Sequence, residues 1–310
     1  MIRTRRRIQS SLGTQSSLGI QSGLARLSLT IASLLIIGDA LQTAQAAESN
    51  SALSLVVMDP LAAPLSCPCV EGYAQRDYTV LAKYLESTLG RPVMVTFHGS
   101  LSSAISKNDG KADIVIGKRS VVVADAASAK ISLTPISRLS DQQGGTDQYG
   151  MIVVNQKDPA QSVADLADYT IIFGPSEAEE KHNAAIELLQ DAGVMIPLVR
   201  RSIDEACSDG ACKVIDLGPE SKTAAVISSY AQPLLEGCGT IKKGDLRVVG
   251  KTEPVPFITV FIADSVDVAT QTKLRGAFGN AALDPELLTA LESLAGFLPV
   301  ETPVVTAKKK

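Results

Sequence analysis

Two cations placed directly after an apolar run are the clearest chemical signal in the sequence. Lys118-Arg119-Ser120 follows Asp113-Ile114-Val115-Ile116-Gly117, which reads as a strand buried on both faces. A cation pair at a strand-to-helix turn, helped by backbone N–H groups, can hold an oxyanion; the plainer reading is a solvated pair on a surface turn. Polar clusters also follow other apolar runs. The loop Ser66 to Tyr78 carries Tyr73, Gln75 and Arg76, Tyr149 opens a later run, and Gly174-Pro175-Ser176 and Ser228-Ser229-Tyr230 close two more. Ligands of open α/β sheets bind outside the carboxyl ends of the strands, where loops and helix N-termini converge. These residues are therefore expected to share one mouth, with Tyr73, Gln75, Arg76, Lys118, Arg119, Ser120, Tyr149, Ser176, Ser228, Ser229 and Tyr230 as candidate ligand contacts. Ser176 has a second explanation, because Ser176 and Glu179 have the spacing of a capping box. Glu177, Glu179 and Glu180 then read as partners of a helix dipole, and would repel an anion if they faced the cleft.

Cysteine offers the other chemistry. The chain has five. Cys207 and Cys212 enclose Ser208-Asp209-Gly210-Ala211, a turn-forming stretch that predicts a disulfide between them. Cys67, Cys69 and Cys238 remain, and either one of the first two bridges to Cys238 or the three bind a soft metal with His98 or His182. The spacing matches no zinc ribbon, so the bridge is the preferred reading, and neither metal nor cofactor is expected. With two histidines in the chain and no G-x-S-x-G elbow, neither a thiol catalyst nor a Ser-His-Asp hydrolase fits, and an enzyme is not expected.

The elements that must position these residues alternate. Leu53 to Met58, Pro92 to Phe97, Asp113 to Gly117, Ile131 to Ser137, Tyr149 to Val154, Thr170 to Phe173, Lys213 to Leu217, Ala224 to Ser228, Leu246 to Val249 and Phe257 to Ile262 read as strands. Helical periodicity marks a stretch from Asp77 to Leu89, one from Ser176 to Ala192, and two closing stretches, Val268 to Phe278 and Pro285 to Leu294. Such alternation predicts doubly wound, mostly parallel sheets, and the polar, Gly-rich Ser140 to Gln148 predicts a crossover between two lobes.

At 310 residues the chain suffices for two lobes. Its N-terminus reads as an export signal, with Arg3, Arg5, Arg6 and Arg7, an apolar run from Leu27 to Gly38, and the cleavage box Ala44-Gln45-Ala46. Thr4-Arg5-Arg6-Arg7-Ile8 resembles a twin-arginine signal, so either the general secretory or the twin-arginine route is open. The expected division is residues 1–46 as signal, 47–140 with 254–310 as the first lobe, and 141–253 as the second. Removing the signal makes a body of net charge −4 more acidic, which argues against nucleic acid and anionic membranes as partners. The absence of Trp argues against a stacking surface for bases or sugars. After cleavage no membrane insertion is expected, and the mature protein is expected to be a periplasmic monomer.

Several stretches together resemble one family. Tyr84-Leu85-Glu86-Ser87-Thr88-Leu89-Gly90-Arg91-Pro92-Val93, Lys111 to Gly117, Tyr149-Gly150-Met151-Ile152-Val153-Val154, Val163-Ala164-Asp165-Leu166, Phe173-Gly174-Pro175-Ser176, and Leu246 to Val249 followed by Val255-Pro256-Phe257 are similar to the phosphate/phosphite/phosphonate-binding proteins of ABC importers. The resemblance spans roughly Leu53 to Pro299. It implies a two-lobed type II periplasmic-binding fold that closes on a small oxyanion for an inner-membrane permease. By position it implies ligand contacts at Tyr73, Lys118, Arg119, Ser120, Tyr149 and Ser176. Two features depart from the family: Glu177-Ala178-Glu179-Glu180 stands where further Ser or Thr is usual, and the Cys67/Cys69 loop has no counterpart. A metal or redox protein built on Cys67, Cys69 and Cys238 is the alternative of another class, and a sensory module for a signalling partner is a third.

Overall fold

The computed structural model describes residues 51–66 and 74–300. The first sheet starts with β1 (Leu53–Met58), whose six residues are all buried because the sheet is covered on both faces. Alternation divides them: Leu53, Leu55 and Val57 pack with Tyr78, Leu81 and Leu85 of α1 (Tyr78–Leu89). Val56 and Met58 face the other way, onto Leu101 and Ala104 of α2 (Leu101–Lys107) and Val122 of α3 (Arg119–Ala129). Asp77 caps α1 through its side chain and Gly90 ends it at φ 66°, a left-handed conformation that glycine adopts without strain.

β1 lies between β2 (Val93–Phe97) and β3 (Ile114–Lys118), parallel to both. β12 (Ile258–Ala263) runs antiparallel to β3 and to β4 (Leu133–Leu139), and β13 (Phe297–Pro299) forms the far edge. The returning chain is therefore built into the first sheet as β12. Helices α7 (Val268–Asn280) and α8 (Pro285–Ala290) follow it and pack Leu274, Phe278 and Leu287 into the same core.

The second sheet has the order β10-β6-β9-β7-β8. β7 (Thr170–Phe173) is parallel to β8 (Arg201–Ile203) and β9 (Thr223–Ser228), whereas β6 (Gly150–Asn155) is antiparallel to β9 and to β10 (Leu246–Lys251). Ile152, Val154, Ile171 and Phe173 pack against Ala185 and Leu189 of α4 (Asn183–Asp191). The opposite face, with Val153, Ala225 and Ile227, packs on Ala211 and Val214 of α5 (Cys207–Leu217), and α6 (Ala231–Gly237) completes that side. Two connections cross between the sheets, and they pair with each other as β5 (Asp147–Gln148) and β11 (Val255–Pro256).

The stretch Lys213 to Leu217, expected as a strand, is the second half of α5. Its aliphatic run conceals a helical stripe, since Ala211 and Val214 face the sheet while Leu217 is exposed. Gly210 permits the contact: a Cβ there would stand 3.2 Å from the Cβ of Ala225. The helix also removes the expected disulfide. Five residues along a helix separate two side chains by about 140° of rotation and about 7.5 Å of rise, and Cys207 and Cys212 are free thiols.

In the second lobe Tyr169 donates from its hydroxyl to Asp158 Oδ1 at 2.6 Å. Burial, then this bond, pushes the Tyr169 hydroxyl up to about 12. A raised value means that the folded state favours the protonated phenol, so the contribution is complete below about pH 10 and is lost as pH rises through the folded value. The stability gap between the native protein and Tyr169→Phe, measured by urea unfolding, is expected to shrink between about pH 9 and about pH 12; a constant gap would contradict this assignment.

Candidate functional site

The carboxyl end of β3 delivers Lys118 to the boundary between the sheets. Pairing of Lys118 with Ile258 fixes its backbone, and the N–H of Arg119 donates to the carbonyl of Phe257 at 2.9 Å. Its ammonium forms an ion pair with Glu180 Oε1, which comes from the segment after β7, and the two side chains are 8% and 0% exposed. The fully buried Ser228, the last residue of β9, donates its hydroxyl to the same oxygen at 2.6 Å. Beside this pair the N–H of Glu179 donates to Ser120 Oγ at 3.3 Å, and the N–H of Ser228 donates to Cys207 Sγ at 3.4 Å. Lysine and serine from opposite lobes thus converge on one carboxylate, in the manner of an oxyanion site.

This arrangement overturns two expectations at the second-lobe helix. No Ser176–Glu179 capping box forms: Ser176 is exposed and bonds Glu177 Oε2 at 3.2 Å, and α4 begins only at Asn183, after a short 3₁₀ turn at Glu179–Lys181. Glu180 is not a dipole partner on a solvated first turn but a buried group in the cleft. The chain makes room for this segment with two glycines. A Cβ on Gly150 would stand 2.0 Å from the carbonyl oxygen of Glu180, and one on Gly174 would stand 2.6 Å from Lys181 Cβ.

A second polar cluster closes the end of β1. Asp59 accepts from Arg76 Nη1 at 2.8 Å, from the Tyr78 hydroxyl at 2.5 Å and from the Leu61 N–H at 2.8 Å. Burial works against the charge of Arg76, but Asp59 and then Tyr78 outweigh it and hold the guanidinium above its ordinary range. The guanidinium lies 5.8 Å from the centre of the Phe257 ring, which also stacks on Tyr230 at 5.1 Å. Burial, with the Cys207 thiol and Glu180 nearby, raises the Tyr230 hydroxyl well above its usual value, so it is neutral.

Beside the Arg76 cluster and the β5/β11 crossing lies a cavity of about 560 Å³. Arg76, Gln148, Tyr149, Ser229, Tyr230 and Phe257 line it, together with Asp141, Asp147 and Glu292. Gln148 is 1% exposed, and neither atom of its side-chain amide has a hydrogen-bond partner among the described residues. The Tyr149 ring is 5.2 Å from Lys251 Nζ.

The anticipated contacts therefore separate into groups. Lys118, Ser120 and Ser228 meet at the interlobe cluster, and Arg76, Tyr149, Ser229 and Tyr230 surround the cavity. Gln75 instead donates to Ser66 Oγ at 2.9 Å within its own loop, Arg119 is half-buried with no side-chain hydrogen bond or ion pair among the described residues, and Ser176 points elsewhere. Tyr73, Cys67 and Cys69 lie outside the described residues. Cys238 bonds to Thr240 Oγ1 at 3.0 Å, and His182 bonds through Nδ1 to the Gly174 carbonyl at 2.8 Å. Among the described residues no three His, Cys, Asp or Glu side chains are grouped to hold a metal. Sequence reasoning missed Asp59, Gln148 and Phe257 and misplaced Glu180. Asp59-Pro60 at a strand end was an available signal for the first, but nothing local marks the others.

Comparison with known proteins decides the family. The model for "ABC transporter, phosphonate, periplasmic substrate-binding protein" matches residues 72–303. The chain belongs to this family. It is thus a solute-binding component of a transporter with a periplasmic place of work, and among the described residues no helix is long and apolar enough to cross a membrane. No curated protein matches the chain. Solved structures share its two-lobed fold. A binding-protein component of an ABC phosphonate transporter from Pseudomonas aeruginosa has TM-score 0.60 at 13% identity, with 81% of this chain and 82% of that one covered. PhnD1 from Prochlorococcus marinus, in complex with methylphosphonate, has TM-score 0.58 at 12% identity, covering 81% and 93%. A Xanthomonas citri protein bound to ATP has TM-score 0.60 at 17% identity, covering 81% and 92%.

Substitutions at Gly150 and Asp59 test this geometry. Gly150→Ala is expected to force the Glu180 segment away and to lower stability by about 1–3 kcal/mol in urea unfolding; unchanged stability would contradict the close approach. Asp59→Ala is expected to cost about 3–5 kcal/mol, because it strands a buried guanidinium, whereas Asp59→Leu with Arg76→Met should recover much of that loss. Equal losses in the single and double variants would argue against the stranded charge as the cause.

Proposed function

We propose that this binding protein captures a small phosphonate-class oxyanion between its lobes and presents it to the permease of an ABC importer in the inner membrane. The carrying observation is that Lys118 and Ser228, from opposite lobes, hold a carboxylate out of water. A tetrahedral oxyanion presents the same chemistry to the same donors, and closure of the lobes strengthens each bond by excluding solvent. The neighbouring cavity takes the remainder of the solute. Its arginine is already neutralised by Asp59, and Gln148 offers an unused donor and acceptor. The family relation and the methylphosphonate complex of a protein with this fold support the same ligand class.

In this reading the protein performs no covalent chemistry and needs no cofactor. It reaches the periplasm by the secretory or the twin-arginine route, loses residues 1–46 and works as a monomer, with lobe boundaries in the crossings near residues 141 and 253. Cys67 and Cys69, on which the metal or redox alternative rests, lie outside the described residues.

Calorimetric titration with methylphosphonate, phosphite, phosphate and an alkanesulfonate tests the proposal. At least one phosphorus oxyanion is expected to bind. The paired variant Lys118→Met with Glu180→Gln, which keeps the cluster neutral, is expected to bind about tenfold or more weakly than Glu180→Gln alone, equivalent to about 1.4 kcal/mol. Absence of binding by every phosphorus oxyanion, or equal affinity in the paired variant and in Glu180→Gln alone, would refute it.

A further inference from the structure

We infer that Glu180 is an internal ligand: its carboxylate occupies the anion position, holds the lobes together in the absence of solute, and must be displaced when an oxyanion enters. This rests on the proposed oxyanion site and adds a competitor built into the chain. Lys118 and Ser228 both donate to Glu180 Oε1, and both partners of the ion pair are buried, so an anion taking these donors takes the place of the carboxylate. The carboxylate is only half satisfied. Glu180 Oε2 is buried and has no hydrogen-bond partner among the described residues, which makes the contact a poor permanent brace and an exchangeable one.

The backbone around Glu180 fits that role. It sits in a short 3₁₀ turn between β7 and α4, not within a regular helix, and the segment leading into the turn, Ser176 and Glu177, is exposed and half-buried. The docked position is nevertheless specifically accommodated, since Gly150 and Gly174 leave space for the turn where any side chain would collide with it. Glu179 adds a backbone bond to Ser120 of the first lobe, and Lys181 donates to the Glu205 carbonyl at 2.8 Å within the second. The turn thus docks across the cleft as a unit. A buried ion pair roughly balances its desolvation, so a doubly charged oxyanion that satisfies the same donors can replace it. The consequence is a weakened apparent affinity, because part of the population has its anion site filled.

Two measurements on the purified protein separate the parts of this inference. In small-angle scattering without solute, Glu180→Ala is expected to show a larger radius of gyration than the native protein, and identical profiles would overturn the latch. Glu180→Gln, which keeps a hydrogen bond to Lys118 and Ser228, guards against misfolding and should lie between the two. In titration with methylphosphonate and inorganic phosphate, Glu180→Ala is expected to bind about tenfold more tightly than the native protein, and equal or weaker binding would overturn the displacement. If no form bound either probe, the oxyanion reading and the displacement would both fall, while scattering would still decide the latch.

Discussion

An ammonium and a carboxylate from opposite lobes, both withdrawn from water, set the terms for the rest of this structure. Neither the Lys118 nor the Glu180 charge is tolerable alone at that depth, so the position of each lobe depends on the other. The local irregularities follow from this pair. The turn at Glu179–Lys181 delays the start of α4, Gly150 and Gly174 admit the turn, and Ser228 closes β9 with a hydroxyl aimed at the same oxygen.

The second constraint is the fixed floor of the cavity. Asp59 ties Arg76 and Tyr78 to the end of β1, so the most prominent cation of the first loop is a structural group with its charge already balanced. What it presents to the cavity is a flat surface continued by Phe257 and Tyr230, with the unpaired amide of Gln148 beside the crossing. The division of labour is therefore spatial. In the proposed function charge recognition falls to the end of β3 and the end of β9, and the cavity near the crossing takes the remainder of the solute.

The architecture was legible because it rests on periodicity. Runs such as Leu53–Met58 and Ile114–Lys118 are apolar throughout because both of their faces are covered, and the alternation of strands with helices indicated the two sheets. The run Lys213 to Leu217 misled, since a short aliphatic stretch fits either period, and the helix it belongs to also dismantled the expected Cys207–Cys212 bridge. Strand-end reasoning brought Lys118, Ser120 and Ser228 to one place. It could not show that Glu180 would meet them, because capping-box spacing is a local pattern and the competing interaction is made with a lysine from the other lobe. Asp59 and Gln148 were hidden for the same reason: their roles are defined by partners, or by their lack, far away in the chain.

In the proposed function the solute's anion is taken by Lys118 and Ser228. A crystal structure of the protein with methylphosphonate tests this most directly. The account predicts phosphonate oxygens within hydrogen-bond distance of Lys118 Nζ and Ser228 Oγ, the methyl group toward the cavity at Gln148, and the Glu180 carboxylate moved out of the cluster. Methylphosphonate bound elsewhere, with the Lys118–Glu180 pair intact, would contradict it.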